Sequence, residues 1–493
     1  MIITRTKHVL RHDPSRVIAK PYLPGEEIAN DATTTRAGLL LGRILAVPEE
    51  EVSLILGQTL EHFQARHENF EALLERHFEM VAPRLEGHAV SRARRLLIGA
   101  YFTNEYSVEG AALFNPSIVP APALHQVGLD PGERRLIMSL RAVGEGHISS
   151  IEFRTGVVDA ASAVTFDPLG TTLITGTRTP PLPYDKPQFA AKVVELGGGS
   201  ALAEAVLRRL PDPFTLAELE ASLAVLEREG PPHAISFETI KIIHALATSN
   251  YVTTFPPGSP LSERVIFPAG PHETHGMEDA RFVLFTDSDG RVTYYATYTA
   301  FDGYEILPQL IETEDFVSFR ISTLNGPAAQ NKGMALFPRR IGGRYVMLSR
   351  RDRENLHLAT STDVRHWADV TELHRPTRPW ELLQIGNCGS PIETEAGWLV
   401  ITHGVGPMRR YVLGALLLDL EDPTRVLGSL REPLLAPDSS EREGYVPNVV
   451  YSCGAMKNGD RIILPYGLSD AAVGVAVISI PELLGALNPV SGA

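Results

Sequence analysis

The chain has 493 residues, 44% hydrophobic and 21% charged, the balance of a folded globular protein with an ample core. Its formal net charge of −14 argues against nucleic acid or an anionic membrane surface as a partner. Only two cysteines are present, no secretory signal opens the sequence and no apolar run reaches the roughly 18 residues of a membrane span, so a cytoplasmic location is expected.

Residues 1–34 are polar and without clear periodicity, and are expected to form an extended arm. From residue 35 to 98 the pattern becomes helical. Pro48 followed by Glu49, Glu50 and Glu51 suits a first helical turn, where the helix dipole favours negative charge. Leu54, Ile55, Leu60 and Phe63, then Phe70, Leu73, Leu74, His77, Phe78 and Val81, follow at near-helical spacing. A second helical block spans about 185–250. In it Thr215-Leu216-Ala217-Glu218 has the form of a capping box, and Gly197-Gly198-Gly199 serves as a connector.

The remainder is β-rich and repetitive. Arg135–Arg141, Val292–Ala300, Arg344–Arg350, Trp398–Gly404 and Arg461–Asp470 share one pattern: a turn, an apolar β-forming run, then polar residues at its end. The last four begin at 292, 344, 398 and 461, roughly 50–65 residues apart, a propeller-like period. The fold expected is an all-β five-bladed β-propeller, residues 99–493, with an N-terminal helical extension (1–98) and a helical insertion (about 185–250). A β-sandwich is the competing architecture, but it offers no common point for Arg141, Asp302, Arg350, His403 and Asp470, whereas a propeller channel does.

The chemistry-bearing segment runs from His272 to Arg281. His272 and His275 lack the HExxH spacing, so no metal site is expected there. No Gly-x-Ser-x-Gly elbow occurs, and neither Cys388 nor Cys453 has a catalytic context. Glu278-Asp279 beside Arg281 is suited to glycoside cleavage, which needs a carboxylic acid for the leaving oxygen and a nucleophile on the far face of the sugar. Asn115, Arg141, Asp302 and Asp470 are weaker sugar-binding candidates. Tyr298 and Tyr466 could stack on sugar or simply pack.

An ordered set of motifs carries a resemblance: Phe114-Asn115-Pro116, Glu278-Asp279-Ala280-Arg281, Ala335-Leu336-Phe337-Pro338, Tyr345 to Arg350, Ser361-Thr362-Asp363 with His366-Trp367, Ile385-Gly386, Gly397-Trp398 with His403-Gly404-Val405, Val446 to Val450, and Tyr466-Gly467 with Ser469-Asp470. Together they resemble glycoside hydrolase family 130, the five-bladed β-mannoside phosphorylases and β-1,2-mannosidases. The match spans about 100–485 without the helical insert. The resemblance implies that Asp279 is the catalytic acid, in a family Asp-Pro-Arg motif that here reads Asp279-Ala280-Arg281, with Arg281 beside the substrate. It implies phosphate held by Lys332, Arg350 and His403, with Gln384 where the family phosphorylases carry a third cation.

The family's hydrolases place glutamates among those positions, and this chain does not, although Glu381 is near. The expected reaction is therefore inverting phosphorolysis of β-mannosides, giving α-mannose 1-phosphate and a shortened sugar. An inverting β-mannosidase is the alternative, and a non-catalytic sugar-binding propeller a third reading. The expected partners are a mannose-containing oligosaccharide and inorganic phosphate as co-substrate, with no further cofactor. Homo-oligomerisation is left open.

Overall fold

The computed structural model describes residues 2–24, 35–85, 89–180, 183–229 and 237–489. Each of the five β-rich runs lies on a strand that has an antiparallel neighbour on both sides. Arg134–Val143 sits between Ala112–Pro120 and Ser149–Val158. Val292–Phe301 sits between Gly276–Thr286 and Ile306–Thr313, and Ser318–Thr323 follows. Tyr345–Ser349 sits between Ala335–Leu336 and Leu356–Ser361, and Asp369–His374 follows. Gly397–Val405 sits between Gln384–Asn387 and Tyr411–Leu418, and Val426–Ser429 follows. Arg461–Leu468 sits between Val450–Tyr451 and Ala472–Ser479. One parallel bridge, Gly276 to Ser149, links the first two groups.

The cores lie between successive groups. Val283, Phe285 and Leu310 meet Leu336, Met347 and Trp367. Leu348, Leu356 and Leu358 meet Trp398, Val400 and Leu416. Leu399, Ile401 and Leu413 meet Val450, Ile462 and Leu464. Covered on both faces, Gly397–Val405 is buried along its whole length, which explains its continuous apolar run. Trp398 is fully buried with its indole N–H on the Leu420 carbonyl (3.0 Å), so Trp398→Ala would cost about 3–5 kcal/mol. The last group adjoins the first, where the Cys453 N–H donates to the Pro116 carbonyl (2.8 Å).

The N-terminal residues differ from the expected arm. Ile3–Arg11 is a strand on Ala472–Ser479, with a register shift between Arg5 and Val9. An offset of two keeps the strand's faces; no apolar alternation announces the strand because its covered face is only half-buried and carries Thr6 and His8 beside Leu10, while Val9 lies on the exposed face. Residues 25–34 of the expected arm, and 230–236 of the expected insertion, lie outside the described residues.

Two compact units result. The larger holds the residues through His12, Ala111–Leu169 and those from Gly176 on; the smaller is Asp13–Gly110 with Gly170–Thr175. The boundary expected between 98 and 99 falls inside the helix Arg92–Tyr101, because the strand that follows it, Thr103–Ser107, pairs with Val17–Pro21 in the same unit. The smaller unit also contains the helices Arg36–Leu45, Glu49–Phe63 and Phe70–Val81. Phe70, Leu74, Phe78 and Val81 face inward, while Leu54 is 62% exposed. Gly99 lets two helices touch: a Cβ there would lie 2.0 Å from the Leu74 carbonyl. The buried Arg94 donates to the Ile44 (2.6 Å) and Val47 (2.7 Å) carbonyls, satisfying groups that the end of a helix leaves open.

Within the larger unit, the insertion forms the helices Lys186–Glu195, Ala201–Arg208, Leu216–Glu229 and Phe237–Thr248 around Phe189, Val206, Phe214, Leu219 and Ile243. The capping box is present: Thr215 Oγ1 accepts from the Glu218 N–H (3.3 Å) and Glu218 Oε2 from the Thr215 N–H (2.8 Å). Strands at its two ends, Thr177–Thr179 and Tyr251–Thr254, pair with each other, and the second pairs with Ser318–Thr323, so the insertion springs from a sheet edge.

Candidate active site

Three polar residues at strand irregularities begin the site. In Gly276–Thr286 the register shifts between Glu278 and Arg281, and Asp279 takes φ +57°. In Ala112–Pro120 it shifts between Phe114 and Ser117, and Asn115 takes φ +49°. Asp470, just past the strand Arg461–Leu468, takes φ +53°. Apart from glycine, Asn and Asp tolerate this left-handed region best, and a bulge re-aims a side chain that strict alternation would bury. The strain concentrates where polar groups meet.

Arg141 ties this cluster together. Its Nη2 donates to Glu278 Oε1 (2.8 Å), its Nη1 to Asp279 Oδ1 (3.4 Å) and its Nε to Ser149 Oγ (2.8 Å), and the guanidinium lies over the Phe114 ring (5.1 Å). Asn115 Nδ2 donates to Asp279 Oδ1 at 2.6 Å. Lys332 Nζ reaches Glu278 Oε2 at 3.2 Å and is 44% exposed.

These contacts separate the two aspartates electrostatically. Burial alone would raise the Asp279 carboxyl; Arg141, Arg281, Lys332 and the Asn115 amide outweigh it and hold the carboxyl below its usual range. For Asp470, burial and then the negative charge of Asp279 prevail over Arg141 and push the carboxyl up to about 7. Two neighbouring carboxyls pushed apart in this way are the pattern of an acid–base site.

Arg281 lies just behind, 2% exposed. Its Nε donates to the Cys388 carbonyl (3.0 Å), its Nη2 to the Tyr451 hydroxyl (2.6 Å) and its Nη1 to the carbonyl of Asp279 itself (3.2 Å). It braces the bulge from within the protein. Tyr451 stands at the edge of the His403 ring, with centroids 4.8 Å apart. His403 is fully buried, and burial with the charges of Arg350 and Arg281 pushes its pKa well below 6.5, so it is neutral. Its Nε2 therefore accepts from Arg350 Nη1 (3.3 Å).

Two glycines make room for Arg350. A Cβ on Gly386 would lie 2.3 Å from Arg350 Cδ, and one on Gly333, next to Lys332, would lie 2.9 Å from its Nε. Arg350 Nε itself is buried without a hydrogen-bond partner among the described residues. Gly386 pairs with His403 across the sheet, and Gln384, half-buried two residues earlier, shares the strand face of Gly386. Lys332, Arg350, Gln384 and His403 are thus associated through Gly333 and Gly386.

Other candidates are engaged elsewhere. Asp302 Oδ1 caps its own turn, accepting from the Tyr304 (2.9 Å) and Glu305 (2.7 Å) N–H groups. Tyr298 and Tyr466 are each 2% exposed, with their hydroxyls on Glu273 and Glu441. His272 Nδ1 pairs with Ser249 Oγ (2.8 Å), and the His275 ring covers Gly303. Glu381 is buried and closes a turn, accepting from the Thr377 and Arg378 N–H groups (2.9 and 3.0 Å). A Cβ on Gly404 would strike Glu381, so Glu381 lies across the strand from His403. Sequence reasoning missed Tyr451 and Ser149. Tyr451 directly follows the Val446–Val450 motif and was within reach; Ser149 carries no signal.

A family model described as beta-1,4-mannooligosaccharide phosphorylase matches residues 259–488. A 1,2-beta-oligomannan phosphorylase from a Thermoanaerobacter species is 38% identical over 220 residues, 43% of this chain and 71% of that one. A beta-1,2-mannobiose phosphorylase from Listeria innocua is 34% identical over 231 residues, 45% of this chain and 63% of that one. Among solved structures, the Listeria innocua beta-1,2-mannobiose phosphorylase in complex with beta-1,2-mannobiose aligns with a TM-score of 0.46 at 25% identity, covering 78% of this chain and 93% of that one.

Proposed function

Since the chain belongs to glycoside hydrolase family 130, we propose that it cleaves β-mannosides by inverting phosphorolysis, releasing α-mannose 1-phosphate and a shortened sugar. Its relatives' names as mannobiose and oligomannan phosphorylases support the substrate class. Asp279 is the general acid, giving a proton to the leaving oxygen directly or through a sugar hydroxyl. Asn115, Arg141 and Asp470 hold the mannosyl unit, and Lys332, Arg350, Gln384 and His403 hold phosphate. Arg281 acts by positioning Asp279, and Asp302 supports the rim through its turn.

One observation carries this choice of nucleophile. Arg350 is a half-buried guanidinium with no carboxylate partner among the described residues; its one side-chain hydrogen-bond partner there is a neutral histidine. An unpaired charge withdrawn from water is costly unless an anion joins it, and phosphate fits the guanidinium fork. The carboxylate nearest in sequence to Gln384 that could have activated water, Glu381, is engaged in its own turn.

The five strand groups, with cores between neighbours and the last beside the first, support five propeller blades around a channel that gathers the site residues. The helical insertion then acts as an accessory that restricts the acceptor end or joins subunits. No helix among the described residues is long and apolar enough to cross a membrane. Both cysteines are free, which supports a cytoplasmic setting.

The test is incubation with β-1,2- and β-1,4-mannobiose, with and without phosphate, following mannose 1-phosphate and free mannose. Phosphate-dependent mannose 1-phosphate is expected. Free mannose released at the same rate in phosphate-free buffer would overturn the phosphorylase reading in favour of a mannosidase.

A further inference from the structure

A second polar cluster lies outside the active site, in the sheet containing Tyr345–Ser349. His357 and Glu372 are direct partners across the strands Leu356–Ser361 and Asp369–His374, so their side chains rise from one face. Asp352 stands on the turn leading into the first of these strands. Its Oδ1 accepts from the Glu354 (3.0 Å) and Asn355 (2.9 Å) N–H groups and its Oδ2 from the Asn355 side-chain amide (2.7 Å), which fixes the carboxylate with Oδ2 3.7 Å from His357 Nε2.

The histidine is oriented as a ligand. His357 Nδ1 lies 3.2 Å from the Asn355 carbonyl, a group that can only accept. Nδ1 is therefore the donor in that contact, and Nε2 faces the two carboxylates. This is the supporting contact that metal-binding histidines use to set their tautomer. One donor atom from each of the three residues lies within 4.8 Å of the other two, a span that ligands about 2.0–2.2 Å from a shared ion can close with a small side-chain adjustment. The cluster is reachable, since the Asp352 and Glu372 side chains are 40% and 37% exposed.

We propose that Asp352, His357 and Glu372 form a binding site for a divalent transition-metal ion of the zinc type. One imidazole and two carboxylates are a hard–borderline donor set that suits Zn²⁺ with water completing the shell. The role is structural. The turn that carries Asp352 begins directly after Arg350. It is tied to the Asn331 side chain through the Arg351 carbonyl, and to the strand of Gln384 through the Glu354 carbonyl, which accepts from the Ile385 N–H (2.9 Å). An ion there would brace the turn between two active-site strands without touching substrate. Arg375 also donates to Glu372, so a bound cation competes with that exposed arginine.

The test is calorimetric titration of untagged, chelator-treated full-length protein with Zn²⁺. One ion per chain with micromolar affinity is expected. Asp352→Asn keeps the turn-capping oxygen, and His357→Gln keeps a polar side chain of similar reach. Each should weaken binding at least ~10-fold, while Arg375→Ala should tighten it. Circular dichroism and thermal melts of the metal-free variants establish that they are folded. Absence of zinc binding to the wild type at tens of micromolar, or affinity undiminished in either ligand variant, would overturn the proposal.

Discussion

Replacing Arg350 with alanine removes the one cation of the proposed phosphate pocket that has no carboxylate partner among the described residues. A charge-assisted contact to phosphate contributes about 1.5–3 kcal/mol. At about 1.4 kcal/mol per tenfold, Arg350→Ala should raise the phosphate KM by roughly 10- to 150-fold. The KM for mannoside should move far less, because Arg141 and Asn115, the proposed mannosyl contacts, sit on Asp279 rather than on Arg350. Stability should change little, since no ion pair is broken; the cost is His403 Nε2 losing its donor (3.3 Å), and the gain is one fewer half-buried charge. The assay is steady-state phosphorolysis of mannobiose at varied phosphate and saturating mannoside, with a thermal melt as the folding control. Arg350→Lys should fall between, keeping charge but losing the planar fork. A phosphate KM within twofold of wild type in a well-folded Arg350→Ala protein would refute the assignment.

Three further outcomes are expected. Asp279→Asn should lose ~10²–10⁴-fold in turnover with little change in melting temperature, read by mannose 1-phosphate release, because it keeps the shape but not the transferable proton. Gln384→Lys should lower the phosphate KM by adding a cation on the strand face of Gly386; an unchanged or higher KM would separate Gln384 from the phosphate. The folded protein keeps the Asp470 proton to about pH 7 while the unfolded chain releases it near 3.8, so its stabilising contribution is complete below 3.8 and is lost as pH rises to 7. Asp470→Asn should therefore stabilise the protein more at pH 8 than at pH 4, by ~4 kcal/mol at most, and equal denaturation midpoint shifts at the two pH values would contradict this.

What the sequence made legible followed from periodicity and from charge. Strands such as Gly397–Val405 announced themselves because apolar β-forming residues must fill cores on both faces, and Thr215-Leu216-Ala217-Glu218 because a helix start needs its amides satisfied. Ile3–Arg11 was hidden because its covered face is only half-buried and admits Thr6 and His8 as readily as Leu10. Asp279 was visible as a carboxylate beside an arginine, but Arg281 proves to face the protein, and the charged partner on Asp279 Oδ1 is Arg141, 138 positions away, beside the Asn115 amide. Nothing local in Arg141 encodes that meeting; it depends on two bulges and on sheet packing. Asp470 was visible as a polar strand end, but its elevated carboxyl arises from burial beside Asp279, which no spacing reveals.

The same charges argue for the nucleophile. In the free protein Asp279 is held ionised by Arg141, Arg281 and Lys332, the wrong state for an acid. A phosphate dianion set against Lys332 and Arg350 offsets that positive field and raises the affinity of Asp279 for a proton. Phosphate would then supply the nucleophile and prepare the acid in one binding event. Water at the same place offers no such compensation: it leaves Arg350 without an anion and Asp279 under three cations, with Glu381 on the far side of the strand from His403. Phosphate should accordingly affect turnover as well as binding, and kcat measured at limiting mannoside conversion should show an acidic group whose pKa lies higher with phosphate bound than in the free enzyme.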